Sequence, residues 1–218
     1  MFIGSQLGMM AGAKSATGSI TDHAVNPTNQ SSFSFSSMAI GTADSTRIVV
    51  VGVFARISSG SAFTAFTIGG VNATQAVFSL PGGSSMAAIY FAVVPTGTTG
   101  TVAFTWNGTL ANAGIGVAAC YDMAATTTDT GTAIGDPMTD TLNIPAGGLA
   151  FGCAGETNSS TFTWTNLTEG YDEVVEGIAT QTGAIGTFSA IQVGLTITCD
   201  QSGGNTDPVL VLASWGPA

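Results

Sequence analysis

The sequence predicts an all-β protein, and three observations carry that expectation. Apolar and small polar residues alternate with period two along most of the chain. Gly, Pro and Asn punctuate the alternating runs at short intervals, as turns do. No segment sustains a 3.6-residue apolar period between helix caps, so helix is confined to a turn or two. Roughly a dozen short strands at this spacing fit a two-sheet antiparallel β-sandwich of jelly-roll type.

The strands are read in order. Residues 32–40 (SFSFSSMAI) set Phe33 and Phe35 against serines. Residues 46–57 (TRIVVVGVFARI) are apolar on both parities, the pattern of a central strand buried on two faces. Residues 62–80 read as a hairpin folded near Gly69-Gly70. Residues 85–94 end at Pro95, residues 100–108 end at an Asn107-Gly108 turn, and 114–121 (GIGVAACY) follow. A polar stretch at 122–137 reads as a long loop. Strands resume at 140–145, 148–156, 161–166, 171–177, 186–200 and 208–216.

The expected organisation is an extended N-terminal arm over 1–30 and one sandwich over 31–218, with a candidate internal boundary at 122–137. The halves resemble each other. TRIVVVGVFA (46–55) aligns with GGLAFGCAGE (147–156), and MAAIYFAVV (86–94) with FSAIQVGLT (188–196). A competing match of AFTWNGTL (103–110) with TFTWTNLT (161–168) spoils the common offset, so duplication stays open.

Composition excludes several function classes. Hydrophobic residues make up 44% of the chain, too many for a disordered one. Charged residues are only 7%, and the net charge is −10. All three bases, Lys14, Arg47 and Arg56, precede residue 57, and the chain beyond carries acids alone. Such a surface repels phosphate, which argues against nucleic acid and anionic membranes as partners. No apolar run reaches the roughly 20 residues of a membrane-spanning helix. The N-terminus lacks the basic region and unbroken apolar core of a secretory signal, and is expected to be retained. Cys120, Cys153 and Cys199 are odd in number and widely spaced, which fits buried thiols from a reducing compartment.

Catalytic equipment is sparse. His23 is the one histidine, and although Ser19 and Asp22 lie near it, no nucleophile elbow accompanies them. No Cys or His cluster suggests zinc, no glycine-rich loop opens a helix, and no cofactor is expected. The acids Glu169, Asp172, Glu173 and Glu176 crowd one segment, and Asp129, Asp136 and Asp140 another. Each group is a candidate for calcium or, more simply, a solvated acidic rim. Trp106-Asn107 and Trp164-Asn166 are candidate carbohydrate contacts. Phe104 and Phe162, two residues before each indole, equally make each pair one core face. The reading is non-enzymatic.

The succession RIVVVGVFAR, TIGGVNATQAV, AAIYFAVVPTGTTGTVAFTWNG, AGIGVAACYDM, NIPAGGLAFGCAGE and FTWTNLTEGYDEV, within residues 32–216, resembles jelly-roll-like structural proteins of tailed bacteriophages and gene transfer agents. The resemblance implies a virion component, folded and assembled in the host cytoplasm. It would be a capsid decoration (cement) protein bound to the major capsid protein on the outside of the shell. The alternative is a carbohydrate-binding head-fibre or tail-fibre protein. Such proteins are commonly homotrimers and use a terminal arm. The arm here carries Phe2, Ile3, Leu7, Met9 and Met10 as candidate partner-binding residues. Gly4, Gly8 and Gly12 disfavour a helix there. Burying five side chains does not by itself offset the ordering of such a segment, so it needs a viral shell or a sister subunit to pair with.

Overall fold

The computed structural model describes residues 14–177, 179–203 and 207–218. Among them there are sixteen strands and no helix, all antiparallel where paired. The first eight are β1 (Thr17–Asn26), β2 (Gln30–Ala39), β3 (Ile48–Ser59), β4 (Phe63–Ile68), β5 (Val71–Asn72), β6 (Thr74–Ser79), β7 (Ser85–Val93) and β8 (Thr99–Tyr121). The second eight are β9 (Asp129–Ala133), β10 (Met138–Ile144), β11 (Gly148–Glu156), β12 (Phe162–Thr165), β13 (Thr168–Glu176), β14 (Ala179–Phe188), β15 (Gln192–Gln201) and β16 (Val209–Trp215).

Strand β8 organises the first half. Its leading part lies between β2 and β4, and its trailing part between β1 and β3. The sheet continues from β3 through β7 to β6, so it curls around β8 into a nearly closed form. Phe33, Phe35, Phe66, Tyr90, Phe104 and Trp106 fill its inside, together with Val49, Val51 and Val53 of β3. The alternate β3 residues Ile48, Val50 and Phe54 join a different core with Phe151, Val211 and Trp215. Strand β3 is therefore buried on both faces, as its sequence required.

The second half contains a five-stranded sheet, β13-β14-β11-β16-β9, and a three-stranded sheet, β10-β15-β12. Leu142, Ala150, Phe162, Trp164, Ile197 and Leu212 pack together from these two sheets. Outward positions of the shorter sheet carry hydroxyls, with Thr139 and Thr198 3.1 Å apart across the strands.

Every pairing of the second half repeats one in the first. Strand β1 pairs with β8 as β9 pairs with β16, and β2 with β8 as β10 with β15. Strand β3 lies between β7 and β8 as β11 lies between β14 and β16. Strand β4 joins β8 as β12 joins β15, and β6 joins β7 as β13 joins β14. One strand, β8, does the work of two, β15 and β16. Of the three sequence matches, that of 46–55 with 147–156 joins true counterparts, β3 and β11. The other two set β7 against the β14–β15 junction and β8 against β12. Period-two alternation alone makes such false matches.

The halves meet face to face through β3 and β11. A Cβ on Gly52 would stand 2.7 Å from Cys153 Cβ, and one on Gly155 would stand 2.5 Å from the Phe54 ring, so both glycines are required by close approach. The contacts are reciprocal: β7 touches β16 as β14 touches β8, and β6 touches β9 as β13 touches β1.

Three expectations change. The expected arm over 1–30 is strand β1 from Thr17 onward, paired along β8 from Thr17–Tyr121 to Asn26–Ala113. The expected loop at 122–137 contains β9. The expected Asn107-Gly108 turn lies inside β8, in the stretch where its pairings with β2 and β3 shift register. Asn107 Oδ1 instead accepts the amides of Ser61 and Ala62 at 2.7 and 3.1 Å. Gly108 is glycine because the Ser59 carbonyl presses against it, leaving 2.4 Å for a Cβ. The Gly69-Gly70 hairpin forms as read, with φ of 59° and 81°.

Candidate functional site

The indoles expected as sugar platforms are core. Trp106 is 1% exposed and donates its Nε1–H to the Ser59 carbonyl at 2.7 Å. Phe63 meets its ring edge-on at 5.1 Å. Trp164 is 9% exposed and donates to Thr182 Oγ1 at 2.9 Å. Asn107 and Asn166 are exposed, but Asn107 Oδ1 is spent on backbone amides. Asn166, at φ 69°, donates to the Thr196 carbonyl at 2.8 Å. The spacing that put Phe104 and Trp106 on one strand face was the informative signal.

The four acids of β13 do not converge. Asp172 Oδ2 accepts the Phe162 amide at 2.9 Å. Burial pushes its carboxyl up to about 6, with a smaller contribution from the Glu169 charge. Glu169 is exposed at the strand start, and partial burial raises its pKa. Glu173 Oε2 lies 3.4 Å from His23 Nε2. Glu176 Oε2 accepts from Asn112 Nδ2 at 2.7 Å and lies 3.6 Å from Arg56 Nη1, across the junction of the halves. Bulges at Glu169/Tyr171 and Val174/Glu176 turn neighbouring side chains apart. Asp129 of β9 and Asp140 of β10 tie these two strands to each other, accepting the amides of Asn143 and Thr132 at 2.8 and 2.7 Å. Among the described residues, no three His, Cys, Asp or Glu side chains gather as a metal centre would need.

His23 lies on strand β1, not in a loop. Its exposed ring stacks on Tyr171 at 5.1 Å, and its own amide donates to Asp22 Oδ1 at 2.9 Å. Asp22 Oδ2 accepts the Ala39 amide at 2.7 Å, so this carboxylate is a strand brace and not a partner for the imidazole. The three cysteines are free and buried. Burial pushes Cys120 and Cys153 up to about 12 and Cys199 upward as well, so none is a nucleophile at neutral pH.

Arg47 was missed by sequence reasoning. It stands fully buried just before the apolar run of β3. Its Nε donates to the Val94 carbonyl and Nη2 to that of Thr96, both at 2.7 Å. Nη1 reaches the carbonyls of Gly41 and Gly97 at 2.7 and 2.8 Å. One guanidinium thereby ties the β2–β3 connection to the β7–β8 connection. The available signal was an arginine immediately ahead of a run with no polar position.

A cleft of about 510 Å³ lies among Pro81, Gly83, Ile134, Gly135, Asp207 and Pro208. Its carboxylate, Asp207, is engaged by the Ser84 hydroxyl and amide at 2.6 and 3.2 Å, which hold its pKa below the ordinary range.

A different feature gathers at one end of the molecule. Ala16 donates to the Gly147 carbonyl at 2.7 Å, and Gly147 donates to that of Phe188 at 2.8 Å. Ile48 pairs with both Val93 and Cys120 at the same end, and Ala218 donates to the Asp122 carbonyl there. Val71, Val93, Ile191 and Val193 are exposed at this end, Val193 by 80%. Lys14 pairs with Asp122 at 3.0 Å where the described chain begins. The expected arm residues Phe2, Ile3, Leu7, Met9 and Met10 lie outside the described residues. Compared with known proteins, the chain matches no family model and no curated protein sequence.

Proposed function

We propose that the chain is a non-enzymatic structural component of a tailed-bacteriophage virion, a capsid decoration protein seated on the outside of the major capsid shell as a homotrimer. The observation that carries this reading is the repeated half: two sets of strands with one pairing scheme, fused through a shared apolar core. The order β1-β8-β3-β7 beside β2-β8-β4-β5 supports a jelly roll in the first half, and β9-β16-β11-β14 beside β10-β15-β12 supports a second. The architecture supplies rigidity and an apolar end, and the titratable groups serve strand ends and loops. The resemblance to virion proteins supports the same reading. The carbohydrate-binding alternative is weakened, because Trp106 and Trp164 are core.

The test is saturable binding of the purified chain to expanded, undecorated shells built from the neighbouring capsid gene. Binding on the outer surface, with many copies per virion, is the expected result. No binding to shells, or a few copies confined to the tail, overturns the decoration reading.

A further inference from the structure

We propose that the junction between the halves is a one-sided clasp. It opens along the flank where β1 and β8 face β13 and β14, and it pivots on the flank where β6 and β7 face β9 and β16. The clasp belongs to the fold and does not depend on a virion role.

The two flanks differ in chemistry. On the pivot flank, Val77, Ile89 and Phe91 share one apolar core with Val211, Ala213 and Trp215. The rings of Phe91 and Trp215 stand edge-on, 5.8 Å between centroids. Asp207, just before β16, accepts from the Ser84 hydroxyl and amide at 2.6 and 3.2 Å. On the opening flank, polar side chains cross the junction instead. Tyr171 lies over Gly116 and Gln181 over Gly114, both side chains buried. Gln181 Oε1 has no hydrogen bond, and the Tyr171 hydroxyl meets the Cys153 thiol without one of ordinary geometry. Arg56 Nε, at the end of the same flank, is unpartnered as well. A buried polar atom without a partner favours any state in which water reaches it. Opening this flank hydrates three such atoms. Opening the other would hydrate one, Trp215 Nε1, and would expose the aliphatic and aromatic side chains.

The rim of the opening flank is held by charge. His23 of β1 stacks on Tyr171 and lies 3.4 Å from Glu173. Arg56 of β3 and Asn112 of β8 meet Glu176 at 3.6 and 2.7 Å. Each contact joins a first-half side chain to a carboxylate of β13. The ion pairs are partly exposed, so each adds little to closure. The far end of the flank is tied differently. Ala16 donates to the Gly147 carbonyl at 2.7 Å, and Leu149 packs against Gly18 beside Cys120. That end stays shut, so the gap is a wedge that widens from Gly18 toward Arg56. Cys153 lies within the wedge, beneath Tyr171, and Cys120 at its closed tip. Cys199 lies in the separate core of the second half.

The test is labelling of the folded chain with iodoacetamide, each thiol being read by mass spectrometry. Expected is modification of Cys153 about ten-fold or more faster than that of Cys120 or Cys199. Glu173→Gln with Glu176→Gln removes the rim charges. It speeds Cys153 by about five- to ten-fold and leaves Cys199 as in the parent. Ala213→Cys places a thiol on the pivot flank, where it reacts as slowly as Cys199. Three results overturn the proposal. Cys153 reacts no faster than Cys199; or the rim variant keeps the parent's Cys153 rate; or the thiol at position 213 reacts as fast as Cys153, which means that the halves separate outright. The first comparison needs no substitution, and unchanged circular dichroism confirms that each variant is folded.

Discussion

The two halves share one pairing scheme and close it by different means. In the first, one continuous strand, β8, accepts β1, β2, β3 and β4. Eight aromatic rings, those of Phe33, Phe35, Phe63, Phe66, Phe78, Tyr90, Phe104 and Trp106, stack or meet edge-on inside. In the second, β15 and β16 are separate strands, and the core relies on Leu, Ile and Ala around Trp164 and Phe162. The first half is thus locked from within, while the second leans on the face it shares with β3 and β7. One pairing scheme tolerates both solutions because antiparallel register depends on alternation, not on particular side chains.

The sharpest way to break the comparison is at Arg47, the lock peculiar to the first half. Met at this position leaves the carbonyls of Gly41, Val94, Thr96 and Gly97 without their donor. A loss of about 3–5 kcal/mol is expected, as when one partner of a buried charged network is removed. For a chain of this size that is a fall of roughly 10 °C or more in Tm, read by calorimetry. An unchanged Tm would show that water replaces the guanidinium.

Gly155→Ala strikes the junction instead, driving a methyl group into the Phe54 ring. About 1–3 kcal/mol should be lost, by overpacking. The urea midpoint checks it, and a shift in the second half's tryptophan signal ahead of the first would show which half depends more on the junction. Trp164→Phe removes a hydrogen bond to Thr182 and some ring volume. It is expected to cost about 1–2 kcal/mol, less than the same change at Trp106 within the aromatic stack.

Asp172→Asn is the smallest expected effect, and its sign depends on pH. Burial pushes the folded carboxyl up to about 6, from an ordinary value near 3.8. The folded state therefore holds this proton more tightly than the unfolded state does. The stability this provides is complete below the unfolded value and is lost as pH rises through the folded one. Asn removes that loss, so the variant should match the parent near pH 4 and exceed it by up to about 1 kcal/mol at pH 7, since solvent screens a half-exposed group. A Tm difference that is flat from pH 4 to pH 8 would contradict the assignment.

Much of this fold was legible in the sequence. The strand character, the doubly buried β3, the Gly69-Gly70 hairpin and the buried thiols all follow from alternation and residue type. Three things did not. Thr17–Asn26 looked like arm because its alternation is dominated by small and polar residues, and only pairing with β8 makes it a strand. Asn107-Gly108 looked like a turn because the dipeptide is common in hairpins. Its glycine instead answers to Ser59, a neighbour 49 residues earlier in sequence. Arg47 was counted only as one of three bases, because four carbonyls from distant loops are invisible until the chain is folded. The acidic run of β13 suggested a shared site, but bulges and strand alternation send its members to separate partners.

The long strand β8 has a consequence for motion. Residues Ile115 to Ala119 of its trailing part are fully or almost fully buried and flanked on both sides by β1 and β3. Their amides can meet solvent only when the whole first half opens, since freeing β8 strips four strands of a partner at once. In deuterated water these protons are the last to exchange, at a rate that reports the global opening of that half and not the breathing of any one strand.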